Sequence, residues 1–202
     1  RWASTVTNYF ASVSHEFANG WTGSIEYNRA QNDADLHLLY LYGAPDRDTG
    51  LGLDPSPYNS DTSREQDSVF ANMKGSIALL GREHKAVLGY QWSDQTETTD
   101  TFAALGDLAP VGNFNEWNGS YPEPDWGSRT RDIKLDREQT GFYAASRLSV
   151  TDELNLVLGG RLADWETKGL SYGESVDYDD SNVFLPYAGA LYDITDQHTA
   201  YV

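Results

Sequence analysis

The sequence lacks several features on which common protein classes depend. It contains no cysteine, which excludes disulfide frameworks, thiolate nucleophiles and cysteine-based zinc or iron–sulfur sites. Basic residues are scarce, 14 against 31 acidic ones for a formal charge of -17, and nucleic-acid binding needs the opposite balance. No run of about 18 apolar residues occurs, so a membrane-spanning helix is excluded, whereas a membrane β-barrel is not.

The residues that are abundant favour strands and turns. The 202 residues include 13 Tyr, 6 Trp and 18 Gly but a single Met. Apolar side chains recur with a period of two: Tyr9, Ala11 and Val13 alternate with polar neighbours. The same alternation resumes at Trp21 after an Asn19-Gly20 turn signal, which predicts an antiparallel hairpin.

Four such hairpins are predicted, with tight turns near residues 18–20, 81–83, 151–153 and 195–197. Three polar segments, 43–67, 94–138 and 164–182, separate the hairpins and are expected to be long loops. Strict alternation of short and long connections is typical of transmembrane barrels. A soluble β-sandwich or barrel is the alternative, but long structureless loops are uncommon in compact soluble domains.

The negative charge is concentrated in the three polar segments. They hold six, ten and six acidic residues against two, four and one basic ones, which leaves the predicted strands nearly neutral. A near-neutral wall is what a bilayer requires. The acidic segments favour a neutral or cationic ligand over a highly anionic one.

An ordered series of short segments resembles one family. The series comprises residues 19–21 (Asn-Gly-Trp), 81–84 (Gly-Arg-Glu-His), 87–90 (Val-Leu-Gly-Tyr), 117–124 (Trp-Asn-Gly-Ser-Tyr-Pro-Glu-Pro), 139–143 (Gln-Thr-Gly-Phe-Tyr), 158–162 (Leu-Gly-Gly-Arg-Leu), 186–189 (Pro-Tyr-Ala-Gly) and 192–193 (Tyr-Asp). In this order over nearly the whole chain, they resemble the TonB-dependent siderophore receptors, in particular the ferric-pyoverdine and ferric-hydroxamate branch.

The resemblance implies an all-β fold, an antiparallel up-and-down transmembrane β-barrel. Residues 1–202 would form about eight consecutive strands of a 22-stranded outer-membrane barrel, without its plug domain and remaining strands. The implied function is to bind a ferric siderophore outside the bacterial cell and to transport it into the periplasm with TonB-coupled energy. The implied partners are the TonB-ExbB-ExbD complex, reached through the plug, and outer-membrane lipid and lipopolysaccharide. The protein would be monomeric, and iron would enter only as part of the ligand, with no cofactor.

Candidate ligand contacts are mainly aromatic, since flat rings with a few polar groups suit a chelate the size of a drug molecule. Most of them lie in the longest polar segment: Phe114, Trp117, Tyr121 and Trp126. Tyr42 and Gln91 are secondary candidates. The alternative is that these rings hold the segment folded. Arg147 and Arg161 fall on polar strand faces, where they would contact the plug, line the uptake path or form a polar network across the inner wall.

No constellation of an enzyme or of a metal site stands out. The four histidines are dispersed, and the segment beginning Asp46-Arg47-Asp48 starts like a calcium loop but has Pro57 where a bidentate Glu is required. The chain is therefore not expected to be an enzyme. Two further functions remain alternatives to a receptor: a passive porin-like or structural outer-membrane barrel, and a soluble carbohydrate-binding β-domain.

Overall fold

A computed structural model describes residues 1–202 as one eight-stranded sheet, in which each strand pairs antiparallel with the next along the chain. The strands are β1 (Trp2–Glu16), β2 (Thr22–Gly43), β3 (Leu53–Leu79), β4 (Arg82–Leu105), β5 (Asp125–Ser149), β6 (Leu154–Ser171), β7 (Glu174–Thr195) and β8 (His198–Tyr201). A short 3₁₀ turn at Phe114–Glu116 is the one helical element, and no helix is long or apolar enough to cross a membrane. The predicted up-and-down meander is confirmed.

The sheet is a single layer, and only 11 of the 202 residues are buried. Its two faces differ sharply because the side-chain period of a strand is two. One row of successive cross-strand partners is apolar on each of the strands β1 to β7 and defines the apolar face: Val13, Ile25, Ala71, Tyr90, Phe142, Leu162 and Phe184. The next row defines the polar face: Ser14, Ser24, Asn72, Gly89, Tyr143, Arg161 and Leu185.

The predicted tight turns are confirmed, and their conformations explain their sequences. Gly20 has a φ of 78° in the turn after β1, which a residue with a side chain seldom adopts. Leu80 and Gly81 both have positive φ, as a two-residue type I′ hairpin requires. Near the first turn, the Trp21 ring covers Gly75, where a Cβ would come within 2.4 Å of the ring.

The prediction that the three polar segments are loops is wrong for most of their length. The connection between β2 and β3 is only residues 44–52, and that between β4 and β5 is residues 106–124. The third segment contains a two-residue turn, Tyr172-Gly173, with positive φ at both positions. β3 alone has 27 residues, and about 10 suffice to cross a bilayer, so the strands continue into water. There most residues on both faces are polar, apart from the run of leucines and tyrosines at residues 38–42 of β2, and the period-two pattern fades although the backbone pairing persists.

Candidate functional site

The aromatic residues of the connection 106–124 use their polar atoms within that connection. The Trp117 indole N–H donates to the Ser120 carbonyl oxygen at 2.7 Å, and the Tyr121 hydroxyl donates to the Ala109 carbonyl oxygen at 2.7 Å. The rings of Phe114 and Trp117 lie 6.0 Å apart. These contacts hold the connection in a defined fold, as the alternative interpretation of these rings predicts.

Trp126 lies at the base of this connection and contacts β2. Its indole N–H donates to Glu123 Oε1 at 3.1 Å, and its ring meets the His37 ring edge-on with centroids 6.1 Å apart. A second attachment is made near the tip, where the Phe114 N–H donates to the Gly50 carbonyl oxygen at 2.9 Å. The connection 106–124 therefore lies against the hairpin formed by β2 and β3.

The six candidate ligand residues do not converge on one place. Tyr42 and Gln91 lie on the polar face, and Gln91 has Phe70 and Gly141 as its cross-strand partners. Trp126 pairs with Ala104, far along β4 from Gln91. Their contact with a ligand stays a prediction.

Sequence reasoning missed a charged cluster on the polar face. Glu97 accepts hydrogen bonds from Arg64 at 2.9 Å and from Arg137 at 2.6 Å, and only 13% of its side chain is exposed. The three residues come from β3, β4 and β5, so only the register between strands brings them together. No sequence signal links them.

An aromatic pair lies beside this cluster on the same face. Trp165 and Tyr178 stack with centroids 5.6 Å apart. Between Arg137 and Tyr178 in the register lies Thr167, which is 2% exposed and whose hydroxyl has no hydrogen-bond partner. The Arg137 cation and the stacked aromatic pair form a surface suited to a polar aromatic ligand, whereas the Thr167 hydroxyl is buried beneath it.

The acidic residues are distributed unevenly between the two faces. On the face that continues from the apolar row, five successive cross-strand partners are carboxylates: Asp67, Asp94, Glu138, Glu166 and Asp179. The neighbouring row on the polar face contains one arginine and no carboxylate: Gln66, Gln95, Arg137, Thr167 and Tyr178. This acidic row points away from the polar face and gives no support there for a neutral or cationic ligand; that ligand preference stays a prediction.

Arg147 and Arg161 both lie on the polar face, as the sequence predicts. Arg147 lines a cavity of about 430 Å³ together with Lys74 and Lys85. Arg161 lies over Gly141, and its Nε and Nη2 atoms are buried without a hydrogen-bond partner. Neither arginine forms an ion pair. Their role as plug or path residues stays a prediction.

The calcium-like segment has a structural explanation. Asp46 Oδ1 accepts hydrogen bonds from the Thr49 N–H at 2.8 Å, the Asp48 N–H at 3.0 Å and the Thr49 hydroxyl at 2.9 Å. These bonds, from Thr49 above all, hold the pKa of Asp46 below its ordinary value. The carboxylate stabilises a turn, and no group of three or more His, Asp or Glu residues is arranged to hold a metal ion.

Comparison with known proteins agrees with this architecture over the whole chain. The family described as "TonB dependent receptor-like, beta-barrel" matches residues 1–202, and the chain belongs to that family. Its strands are part of a bacterial outer-membrane barrel, in which the apolar face meets lipid and the polar face lines the interior.

Within the family the chain is similar to ferric-pyoverdine receptors. It is 32% identical to the ferric-pyoverdine BN7/BN8 receptor of Pseudomonas putida, with 96% of the chain and 25% of the relative covered. It is 31% identical to the ferripyoverdine receptor of Pseudomonas aeruginosa, with 99% and 24% covered. The pyoverdine-bound receptor FpvA of P. aeruginosa PAO1 superposes with a TM-score of 0.89 at 30% identity, with 99% and 28% covered. The chain thus spans about a quarter of the length of these relatives.

Proposed function

We propose that the protein to which this chain belongs binds a ferric siderophore of the pyoverdine class and transports it into the periplasm with TonB-coupled energy. The observation that carries the proposal is the similarity to ferripyoverdine receptors over 96–99% of the chain. In this proposal residues 1–202 are part of a 22-stranded barrel closed by a plug domain, through which the TonB-ExbB-ExbD complex acts. A passive porin-like or structural barrel and a soluble carbohydrate-binding domain are not favoured, because the relatives are siderophore receptors.

The proposed ligand site is at the extracellular mouth of the barrel, on its inner wall and the folded connection above it. The inner wall contributes the polar-face residues Tyr42 and Gln91, and the stacked pair Trp165 and Tyr178 beside Arg137. The connection 106–124 and its base contribute aromatic ring faces, from Phe114, Trp117, Tyr121 and Trp126. This choice is supported by chemistry, since aromatic ring faces with a few polar groups suit a chelate the size of a drug molecule.

Arg147 and Arg161 are proposed to face the plug. Both lie on the polar face without a carboxylate partner, and Arg147 shares its cavity with two lysines. On the inner wall of the proposed closed barrel, an unpaired guanidinium favours a carboxylate or carbonyl oxygen of the plug.

The contacts proposed with the membrane follow from the difference between the apolar and the polar face of the sheet. The apolar row is proposed to contact outer-membrane lipid, and the extracellular ends of the strands to contact lipopolysaccharide, with the barrel a monomer. The relatives are receptors rather than enzymes, and iron is proposed to enter only within the siderophore, without a resident cofactor.

The decisive experiment measures binding and uptake by the full-length receptor. Ferric pyoverdine, a ferric hydroxamate and a ferric catecholate are titrated in parallel, and uptake of radioactive iron is compared in cells with and without TonB. We expect ferric pyoverdine to bind most tightly and uptake to require TonB. Uptake that persists without TonB would instead indicate a passive pore, and absence of binding to any chelate would refute the receptor.

A matched pair of tryptophan variants tests the inner wall. We expect Trp165→Ala to weaken binding of ferric pyoverdine by about 3- to 10-fold, the cost of losing one aromatic contact. Trp92→Phe is the control, because Trp92 lies on the outward face and donates to Glu138 at 3.3 Å. Equal affinities for the two variants would contradict the placement of the ligand.

A further inference from the structure

The connections 44–52 and 106–124 meet at a glycine. Gly50 is the only buried residue in either of them, and residues of the other connection cover it. The Phe114 N–H donates to the Gly50 carbonyl oxygen at 2.9 Å. A Cβ on Gly50 would come within 2.1 Å of Asn113 Oδ1 and 3.0 Å of Asn115 Nδ2. A side chain at position 50 therefore does not fit while the connection 106–124 keeps its place.

Gly50 is also held from its own side, by a closed turn. Its N–H donates to the Asp46 carbonyl oxygen at 2.8 Å, and the Asp46 N–H donates to the Leu51 carbonyl oxygen at 2.7 Å. The φ of Gly50 is 67°, in the left-handed region that favours glycine. Position 50 thus requires glycine for two independent reasons, the backbone conformation and the close approach of Asn113.

The segment that rests on Gly50 is the 3₁₀ turn Phe114–Glu116, which is closed by its own hydrogen bonds. Asn113 Oδ1 accepts from the Asn115 N–H at 3.0 Å, and the Asn113 carbonyl oxygen accepts from the Glu116 N–H at 3.1 Å. Phe114 is 42% exposed, so part of its ring is open to a ligand. Two ordered turns are therefore joined at Gly50, and the contact between them sets where this ring lies.

We propose that Gly50 is a positioning residue for the siderophore: it seats the 3₁₀ turn of the other connection and so fixes where the Phe114 and Trp117 rings meet the ligand. The inference rests on the proposed function, in which these rings contribute to the ligand site. Gly50 is covered by the turn and acts without touching the ligand. Its effect on affinity comes from preorganisation, because a segment already in its binding conformation loses less conformational freedom on binding.

The test compares two glycine-to-alanine variants of the full-length receptor, titrated with ferric pyoverdine in detergent micelles. We expect Gly50→Ala to weaken binding by about 3- to 10-fold, the cost of losing one aromatic contact. Gly106→Ala is the matched control: its φ of 83° imposes the same kind of backbone strain, but its Cβ would meet nothing within 4 Å. Equal affinities of the two variants would overturn the proposal. Absence of binding by the wild type would refute the proposed function, and the role of Gly50 with it.

A second variant tests the same contact from the other side. Asn113→Ala removes the atoms that lie closest to Gly50 and leaves the hydrogen bond between Phe114 and Gly50 in place. We therefore expect it to weaken binding in the same direction as Gly50→Ala but to a smaller extent. If Gly50→Ala does not fold, wild-type affinity in Asn113→Ala would by itself overturn the proposal.

A double-mutant cycle with Phe114→Ala separates positioning from a general loosening of the protein. If Gly50 acts through the Phe114 ring, Gly50→Ala costs less affinity once the ring is absent, whereas an unrelated structural effect gives additive losses. Hydrogen exchange in the ligand-free receptor supplies a second readout. The Phe114 amide should exchange faster in Gly50→Ala, where its acceptor is displaced, and at the wild-type rate in Gly106→Ala. Additive losses of affinity, or unchanged exchange in Gly50→Ala, would contradict a positioning role.

Discussion

The half of the sheet near the tight turns and the half that carries the long connections follow the same backbone pattern but differ in their side chains. In the first half one row is apolar on seven consecutive strands, from Val13 to Phe184. In the second half the corresponding face carries a row of carboxylates, from Asp67 to Asp179. The surroundings of each half therefore decide which residue types its outward face carries. Lipid excludes charged side chains, whereas water tolerates even like charges on neighbouring strands.

The polar face also differs between the two halves. Near the tight turns it has unpaired cations, Arg147 with Lys74 and Lys85, whereas near the long connections its arginines are paired with Glu97. The unpaired cations agree with the proposed contact between this wall and the plug, whereas the paired arginines need no partner from outside the wall. The four predictions below test these differences, from the largest expected effect to the smallest.

The lipid-facing row should tolerate charge least. Leu162→Arg is expected to lower the free energy of unfolding of the full-length barrel in lipid vesicles by about 2–4 kcal/mol, the cost of an arginine near the bilayer midplane. Thr98→Arg is the control, because Thr98 lies on the same face in the half that carries the carboxylates. Urea unfolding measures the stability of both variants. Equal losses would mean that the outward faces of the two halves do not lie in different surroundings.

Removing the shared carboxylate of the inner wall should be the next largest effect. Glu97→Gln leaves Arg64 and Arg137 facing each other without an anion, and we expect a loss of about 1.5–3 kcal/mol in unfolding free energy. Glu65→Gln is the control: Glu65 lies on the outward face, pairs with Arg29 at 2.7 Å and is 45% exposed. Its loss should stay below about 1 kcal/mol. If Glu65→Gln lowers the unfolding free energy as much as Glu97→Gln, the cluster on the polar face does not stabilise the barrel more than an outward ion pair.

The close ring contact over Gly89 should have a smaller effect. A Cβ at this position would lie 2.1 Å from the Tyr143 ring, so Gly89→Ala forces the tyrosine to move and should cost about 1–2 kcal/mol. The same substitution in a Tyr143→Ala background should cost much less. A double-mutant cycle on thermal unfolding measures the coupling between residues 89 and 143. If the two losses of stability were additive, the Tyr143 ring would not need the space that Gly89 leaves.

Asp46 should affect only the connection 44–52. Asp46→Ala removes the acceptor for Thr49 and Asp48, and we expect faster proteolysis of this connection with unchanged global unfolding. Because the folded state lowers the pKa of Asp46, the turn is stabilised at neutral pH and loses this stabilisation as the pH falls through the lowered pKa. Limited proteolysis at neutral and acidic pH checks both statements. Unchanged proteolysis at neutral pH would mean that other contacts hold the turn.

Much of the fold could be predicted because hydrophobic periodicity reports directly on faces. Alternation at Tyr9, Ala11 and Val13 gave the first strand, and Asn19-Gly20 gave the first turn. The turn at Tyr172-Gly173 was missed, because it lies among polar residues where no alternation marks the flanking strands. Strand ends in water are therefore harder to find than strands in lipid, although the backbone hydrogen bonds are the same.

The site could be predicted only in part. Placing Arg147 and Arg161 on the polar face needed nothing beyond the period of two. The aromatic cluster of the connection was visible as a local concentration of rings, but not that Trp117 and Tyr121 use their polar atoms to hold the segment folded. Such hydrogen bonds depend on the path of the chain, which residue types alone do not specify.

The sequence by itself determined which residues form the strands next to the first tight turns, which face each of those residues takes and where glycine allows those turns. Only the tertiary structure decided which residues of different strands lie side by side: Arg64 and Arg137 on either side of Glu97, and His37 against Glu123. The physical reason is that the period of a strand fixes the side of the sheet but not the register. Register results from backbone pairing along whole strands, and it places charges in contact that are far apart in the chain.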